Sequence, residues 1–172
     1  MGFCETIGTD IESSTYILSD NSIVRVLICD TAGQDRFKNM VESYYKCADA
    51  IILIYDISYN GSFESCKNYY CETIKKYCKD IIKVMLIGNK TDLEYKREIS
   101  FEEAHDFALF NEYTHMETSC LRNENVYEAF EKVIEITSIE KKKEKEKGKE
   151  KGKEKEKENQ LKELKKKGCI LI

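Results

Sequence analysis

The sequence predicts an α/β domain with a mostly parallel sheet flanked by helices, and three observations carry that prediction. Continuous apolar runs at residues 50–55 (AIILIY) and 82–87 (IKVMLI) have the form of strands buried on both faces. Around them, apolar residues recur at helical spacing. Both strand runs close on a polar residue, Asp56 or Asn89. Parallel sheets take their ligands beyond the carboxyl ends of the strands, so Asp30, Asn89 and Glu117 to Cys120, which sit at such ends, mark where function is to be sought.

In chain order, residues 14–18 and 23–29 read as a hairpin turning on Ser19, Asp20, Asn21 and Ser22. The strand over 50–55 follows, and then Phe63, Cys66, Tyr70, Ile74 and Tyr77 mark the buried stripe of a helix. After the strand over 82–87, Ser100 and Glu103 form a capping box ahead of a helix over 101–110. A short strand over 114–117 precedes the last helix, opened by Asn125 and Glu128 as a second box and continuing through Ile136. Strands alternating with helices place helices on both faces of the sheet.

At 172 residues the chain is long enough for one core. Composition changes after residue 139: Lys141 to Lys167 holds fourteen Lys and seven Glu, a net of +7. The whole chain is −4, so the remainder carries 14 basic against 25 acidic residues, or −11. An acidic body is unsuited to nucleic acid, which rewards a basic face on the fold itself, whereas a basic tail suits an anionic membrane surface. The eight cysteines (4, 29, 47, 66, 71, 78, 120 and 169) show no CxxC pair and read as free thiols of a reducing compartment. His105 and His115 form no catalytic arrangement and read as structural. With no long apolar span and no secretory signal, the body is expected in the cytosol.

The chemistry gathers at strand ends. In Asp30-Thr31-Ala32-Gly33-Gln34 the acid can hold Mg²⁺ through water, the glycine N–H can approach an anion, and the amide can orient a nucleophilic water. Gly88-Asn89-Lys90-Thr91-Asp92 supplies a carboxylate able to accept both N1–H and N2–H₂ of guanine, a donor pair that adenine lacks. Asn89 can brace that loop, and the Lys90 stem can lie over the purine ring. Glu117-Thr118-Ser119-Cys120 can present a backbone N–H toward the guanine O6.

Taken together and in this order, the motifs resemble those of a Rab-type small GTPase of the Ras superfamily. Thr6-Ile7-Gly8-Thr9-Asp10-Ile11 is similar to the Rab effector loop TIGxDF, and CDTAGQDRF to the Rab WDTAGQERF. Ser43-Tyr44-Tyr45-Lys46-Cys47-Ala48 resembles SYYRGA, and Tyr55-Asp56-Ile57-Ser58 followed by Ser62-Phe63 resembles YDVT…SF. The likeness runs from about Thr6 to Ile136.

The resemblance implies a P-loop NTPase-like, Ras-type fold that binds GTP or GDP with Mg²⁺ and hydrolyses GTP. Thr6 and Asp30 become the Mg²⁺ ligands, the latter through water. Asp30, Thr31, Ala32, Gly33, Gln34, Asn89, Lys90, Asp92, Ser119 and Cys120 become the nucleotide contacts, with Gln34 catalytic. Ile7, Gly8, Asp10, Ile11, Cys29 and Tyr44 become the effector surface, although Ile11 and Cys29 stand where the family has large aromatics. Leu121 stands where the family usually has Lys. The implied role is a membrane-tethered switch in vesicle transport, served by effectors, an exchange factor, a GTPase-activating protein and a prenyl-lipid chaperone.

The family's phosphate loop, G-x-x-x-x-G-K-[ST], does not occur in these residues. The reading is therefore of a fold truncated at its N-terminus, without the central first strand, the P-loop and the first helix. That strand lies, in the family, between those ending at Asp30 and Asp56. Burying about five of its side chains contributes roughly 10 kcal/mol, comparable to the net stability of a domain, so a damaged fold is expected. Weak or absent GTP binding by the 172 residues is expected too. Two explanations stand: an upstream segment missing from the record, or a short degenerate relative acting as a nucleotide-independent adaptor or a gene fragment.

The ends carry lipidation patterns. Met1-Gly2-Phe3-Cys4-Glu5-Thr6 fits the N-myristoylation pattern at Gly2, with Cys4 as a possible palmitate site. Cys169-Ile170-Leu171-Ile172 fits a CaaX box, implying S-geranylgeranylation of Cys169 and methylation of the processed end. Lys162 and Lys165, Lys166 and Lys167 supply the second signal that a single lipid chain needs. The expected organisation is 1–139 as a Rab-like G domain, 140–168 as a flexible Lys/Glu-rich tail and 169–172 as the lipid box. The expected place is the cytoplasmic face of a membrane, and the cytosol when the protein is extracted.

Overall fold

A computed structural model of the chain describes residues 9–31, 44–78, 82–151 and 168–171. Strand β1 (Thr9–Ile17) pairs antiparallel with β2 (Ile23–Thr31), in a register that runs from Thr9 opposite Thr31 to Ile17 opposite Ile23. The turn between them is the expected one. Asn21 takes a left-handed φ of 61°, and the Asp20 carboxylate accepts from the Ser22 N–H at 3.0 Å. Both strands run longer than the apolar pattern suggests, because an antiparallel ladder extends along exposed polar residues as readily as buried ones.

β3 (Ala50–Asp56), β4 (Lys83–Asn89) and β5 (Thr114–Glu117) are parallel neighbours, with Asp56 opposite Asn89 and Gly88 opposite Glu117. The helix expected after β3 is built in three pieces: α1 (Asn60–Ser65), a π-helical segment (Cys66–Tyr70) and α2 (Cys71–Tyr77). α3 (Phe101–Phe110) starts at Ser100, whose hydroxyl accepts from the Glu103 N–H at 3.0 Å, as the capping pattern requires. α4 (Val126–Lys151) closes the main body.

Asn125 does not serve as the box residue that the sequence suggests. Its φ is 56°, outside the extended conformation of an N-cap, and its amide donates to the Glu117 carbonyl at 3.0 Å. The helix that follows runs past Ile136 into the Lys/Glu tract. Residues 140–151 thus continue α4, and Glu140 and Lys141 pair with Lys83 at 3.2 Å and Asp49 at 2.6 Å, while Lys142 pairs with Asp20. The lysines at 162 and 165–167 lie outside the described residues.

Two cores sandwich the sheet. Ile51, Leu53 and Tyr55 of β3 join Cys29, Phe63, Cys66, Ile74, Leu86 and Ala104 on the side of α1–α3. Ala50 and Ile52 join Val26, Met85, Ile87, Ala129, Val133 and Ile134 on the side of α4. The alternation along β3 from Ala50 to Leu53 thus feeds both layers, which is why that stretch is apolar at every position, while Ile54 beyond it is exposed. Gly88 is required where Tyr55 crosses beneath β4, since a Cβ there would meet the tyrosine oxygen at 2.6 Å.

The sheet has six strands in the order β1-β2-β6-β3-β4-β5. The unexpected member is β6 (Gly168–Leu171), which lies parallel between β2 and β3. The place that the sequence leaves without a strand is thus occupied by residues expected to form the lipid box, and the sheet is continuous rather than split. No helix among the described residues is long and apolar enough to cross a membrane.

Candidate nucleotide-binding site

β2, β3, β4 and β5 present their carboxyl ends along one edge, bringing Asp30, Asp56, Asn89 and Glu117 to the same side of the sheet. Asp30 and Asn89 are three strand spacings apart, about 14 Å. Along that edge the β4–β5 corner is the most completely built.

After Asn89 the chain reverses at Lys90, held in the left-handed region at φ 71° and ψ 40°, and enters a 3₁₀ turn at Thr91–Lys96. An unbranched non-glycine residue accepts this conformation at a cost, and here the surrounding bonds hold it. The Thr91 N–H donates to the Thr118 carbonyl at 3.1 Å, and the Thr118 N–H to the Gly88 carbonyl at 2.8 Å. The Asn89 side-chain oxygen accepts from the Thr118 hydroxyl at 3.2 Å and from the Cys120 N–H at 3.3 Å.

The fully buried Ser119 donates its hydroxyl to the Asp92 carboxylate at 2.5 Å and accepts from the Arg122 N–H at 3.1 Å. Ser119 also exchanges backbone bonds with Glu124. One oxygen of Asp92 is thereby fixed in place, and a carboxylate so oriented still has lone pairs for two parallel N–H donors.

Charge supports the corner from below. Arg97 forks between Glu117, at 2.7 and 2.9 Å, and Glu94, at 2.8 and 2.6 Å, and also donates to the Ile99 carbonyl at 2.9 Å. Hydrogen bonds from Arg97 hold the Glu94 carboxyl below its usual range. The Lys90 ammonium lies 2.6 Å from Asp56. Burial works to raise the Asp56 carboxyl, but hydrogen bonds from Lys90 and Ser58 outweigh it and hold it low. Under the corner, the Tyr55 hydroxyl and His115 Nε2 are 3.2 Å apart, and burial lowers the His115 ring to about 4.

The structure therefore brings together Asn89, Lys90, Asp92, Ser119 and Cys120, the expected purine-facing residues. It adds Arg97, which the motif reading did not mention, and gives partners to Asp56 and Thr118, which were named within motifs and assigned no role. Asp56 carried one available signal, its place as the terminal acid of a buried strand. Arg97 carried none, because its partners come from two separate elements. Asp30 and Thr31 stand at the end of β2 beside a cavity of about 250 Å³. Thr6, Ile7, Gly8, Ala32, Gly33 and Gln34 lie outside the described residues, as do Gly2 and Cys4. On the expected effector surface, Asp10 and Ile11 are exposed and Tyr44 half-buried, whereas Cys29, opposite Ile11, is buried and offers no exposed area.

A family model described as the Ras family matches residues 2–139. The chain belongs to the Ras family. Its relatives place it with the Rab type. It is 37% identical to GTP-binding protein ypt3 of Schizosaccharomyces pombe over 129 residues, 75% of this chain and 59% of that one. It is 38% identical to GTP-binding protein YPT1 of Saccharomyces cerevisiae over 128 residues, 74% of this chain and 61% of that one. It is 40% identical to Ras-related protein Rab-4A of Danio rerio over 125 residues, 73% of this chain and 58% of that one. The chain thus spans about three fifths of the length of these Rab-type relatives. In the β4–β5 corner the Asp92 carboxylate keeps acceptor capacity beyond its bond from Ser119, whereas the Cys120 N–H, expected to face a guanine O6, donates to the Asn89 side chain. The Asp30 carboxylate is an oxygen donor of the kind Mg²⁺ takes.

Proposed function

We propose that the complete protein is a Rab-like GTPase, a GTP/GDP switch in vesicle transport tethered to the cytoplasmic face of a membrane. The observation that carries this reading is the Asp92 carboxylate, fixed by buried Ser119 beside the braced Asn89. An Asp held in this way accepts N1–H and N2–H₂ of guanine and rejects adenine, which offers no such pair. The names of two relatives, GTP-binding proteins ypt3 and YPT1, agree with that preference.

In the proposed cycle Lys90 covers one face of the purine, and Gln34 orients the attacking water at the γ-phosphate. Gly33 presents its N–H to the same phosphate. Thr6 and Asp30 are the residues that would hold Mg²⁺, which when bound neutralises phosphate charge. Effectors, an exchange factor and a GTPase-activating protein would meet the surface around Ile7, Gly8, Asp10, Ile11 and Tyr44. Cys169 would carry the lipid: its sulfur forms a bond to C1 of an isoprenyl diphosphate, diphosphate leaves as the C–O bond breaks, and the thiol proton passes to water. The lysines at 162 and 165–167 would add attraction to anionic lipid, about 1 kcal/mol each.

The test separates base recognition from phosphate binding. The 172 residues alone should bind GTP more weakly than micromolar in a calorimeter, having no G-x-x-x-x-G-K-[ST]. Joining a strand, P-loop and helix from a Rab-type relative ahead of Met1 should raise affinity to micromolar or tighter, for GTP over ATP. Asp92→Asn in that extended protein should move the preference to xanthosine triphosphate, whose 2-oxo group suits an amide donor. An extended protein that does not distinguish guanine from adenine would contradict the reading and favour the nucleotide-independent adaptor.

A further inference from the structure

The sheet has a slot between β2 and β3 that holds Gly168–Leu171. On one side Val26, Leu27, Ile28 and Cys29 pair with Gly168, Cys169, Ile170 and Leu171. On the other, among the described residues, Ala50 and Ile51 pair with Ile170 and Leu171. Beside the carboxyl ends of β2 and β3 lies a cavity of about 250 Å³, lined by Asp30, Thr31, Ile52 and Ile54 and by Tyr45 and Tyr70. Among the described residues, β6 is also the strand that joins the β1–β2 hairpin to β3-β4-β5 within the sheet.

The slot selects its occupant by chemistry. Two facing strand edges in a helix-covered sheet leave backbone donors and acceptors that only another extended backbone can pair. The walls are apolar on both sides, Val26 to Cys29 against Ala50 to Ile54, so the fitting segment is apolar as well as extended. Because β2 and β3 share one direction, the pairing is parallel on both edges.

The chain is also delivered to the mouth of the slot. Lys142 pairs with Asp20, just ahead of β2, and Lys141 pairs with Asp49, just ahead of β3. These mark the amino ends of the two flanking strands, where a parallel strand has to enter. Sixteen residues separate Lys151 from Gly168, a reach of up to about 55 Å.

We propose that the space between β2 and β3 is a binding site for one extended apolar strand parallel to both, that Gly168–Leu171 is its resident occupant, and that occupancy withholds Cys169 from modification. The third clause rests on the lipidation of Cys169 proposed above; the first two do not. An enzyme acting on Cys169 has to grip the backbone around it, and the backbone groups paired with β2 are not available for that grip.

Thiol labelling of the full chain tests this directly. With a maleimide, and each rate normalised to the urea-unfolded chain, Cys169 should react about tenfold or more slower than exposed Cys120. Independently, Leu27→Cys should form an intramolecular disulfide with Cys169 under mild oxidation, because register partners on parallel strands lie about 4.8 Å apart. Adding Cys169→Ser to that variant should abolish the link. Equal labelling of Cys169 and Cys120 in the folded chain, or no 27–169 link, overturns the strand site. The mass of the protein isolated from cells reads lipidation separately: an unlipidated Cys169 with slow labelling upholds all three clauses, whereas a lipidated Cys169 in a chain that still labels slowly removes the third and upholds the first two.

Discussion

Around β4 and β5 the carboxyl edge of the sheet is held by side chains, whereas between β2 and β3 the sheet is held by four residues of main chain. At the first place Ser119, Asn89, Thr118 and Arg97 tie loops to strand ends at distances of 2.5–3.3 Å. At the second, Gly168–Leu171 supplies ladder bonds to both neighbours, and a cavity lies beside the carboxyl ends of β2 and β3. The first arrangement is the one proposed above to read a guanine, through the Asp92 carboxylate that Ser119 holds. The second is specific only to an extended apolar backbone. The side-chain bonds of the β4–β5 corner are therefore formed in a chain whose strand position between β2 and β3 is filled by residues 168–171.

The largest effect that would break the first half of this comparison is expected at Arg97. Arg97→Ala leaves Glu117, whose side chain is 14% exposed, without its fork. Removing one partner of a largely buried pair costs about 3 kcal/mol, which urea unfolding would read. An unchanged midpoint would mean that the corner is not held by these side chains.

A smaller effect sharpens the same point through pH. Burial holds the His115 ring neutral, lowering it from 6.5 to about 4. The folded chain thus takes up this proton later than the unfolded chain, so stability is full above about 6.5 and declines as pH falls toward about 4. Allowing for the ring's partial exposure to solvent, the loss is on the order of 1 kcal/mol. His115→Gln should flatten that part of the stability–pH curve. A curve of the same slope in the variant would assign the decline to other groups.

The strands, and the strand-end loops that bring Asn89, Asp92 and Ser119 together, were legible because their signals are local. Residues buried on both faces write an unbroken apolar run, as over 50–55, and Asn89-Lys90-Thr91-Asp92 with Ser119 forms a short pattern at strand ends. What escaped was set by distant partners. Arg97 gains its role from Glu117, twenty residues on, and Asn125 leaves its capping position because the Glu117 carbonyl takes its amide. Gly168–Leu171 escaped most completely, since the last tail residue and the first three of the lipid box become a strand only through the edges of β2 and β3.

Native-state hydrogen exchange on the full chain and on Ile170→Pro puts the two halves side by side, since proline removes a ladder N–H from the middle of β6. In the variant those amides of Val26 to Cys29 that point toward β6 should lose protection, while the alternate ones paired with β1 and those of Met85, Leu86, Ile87 and Thr118 stay slow. Loss of protection in both groups together, or in neither, would show that the sheet is not closed by its C-terminal strand in the way described.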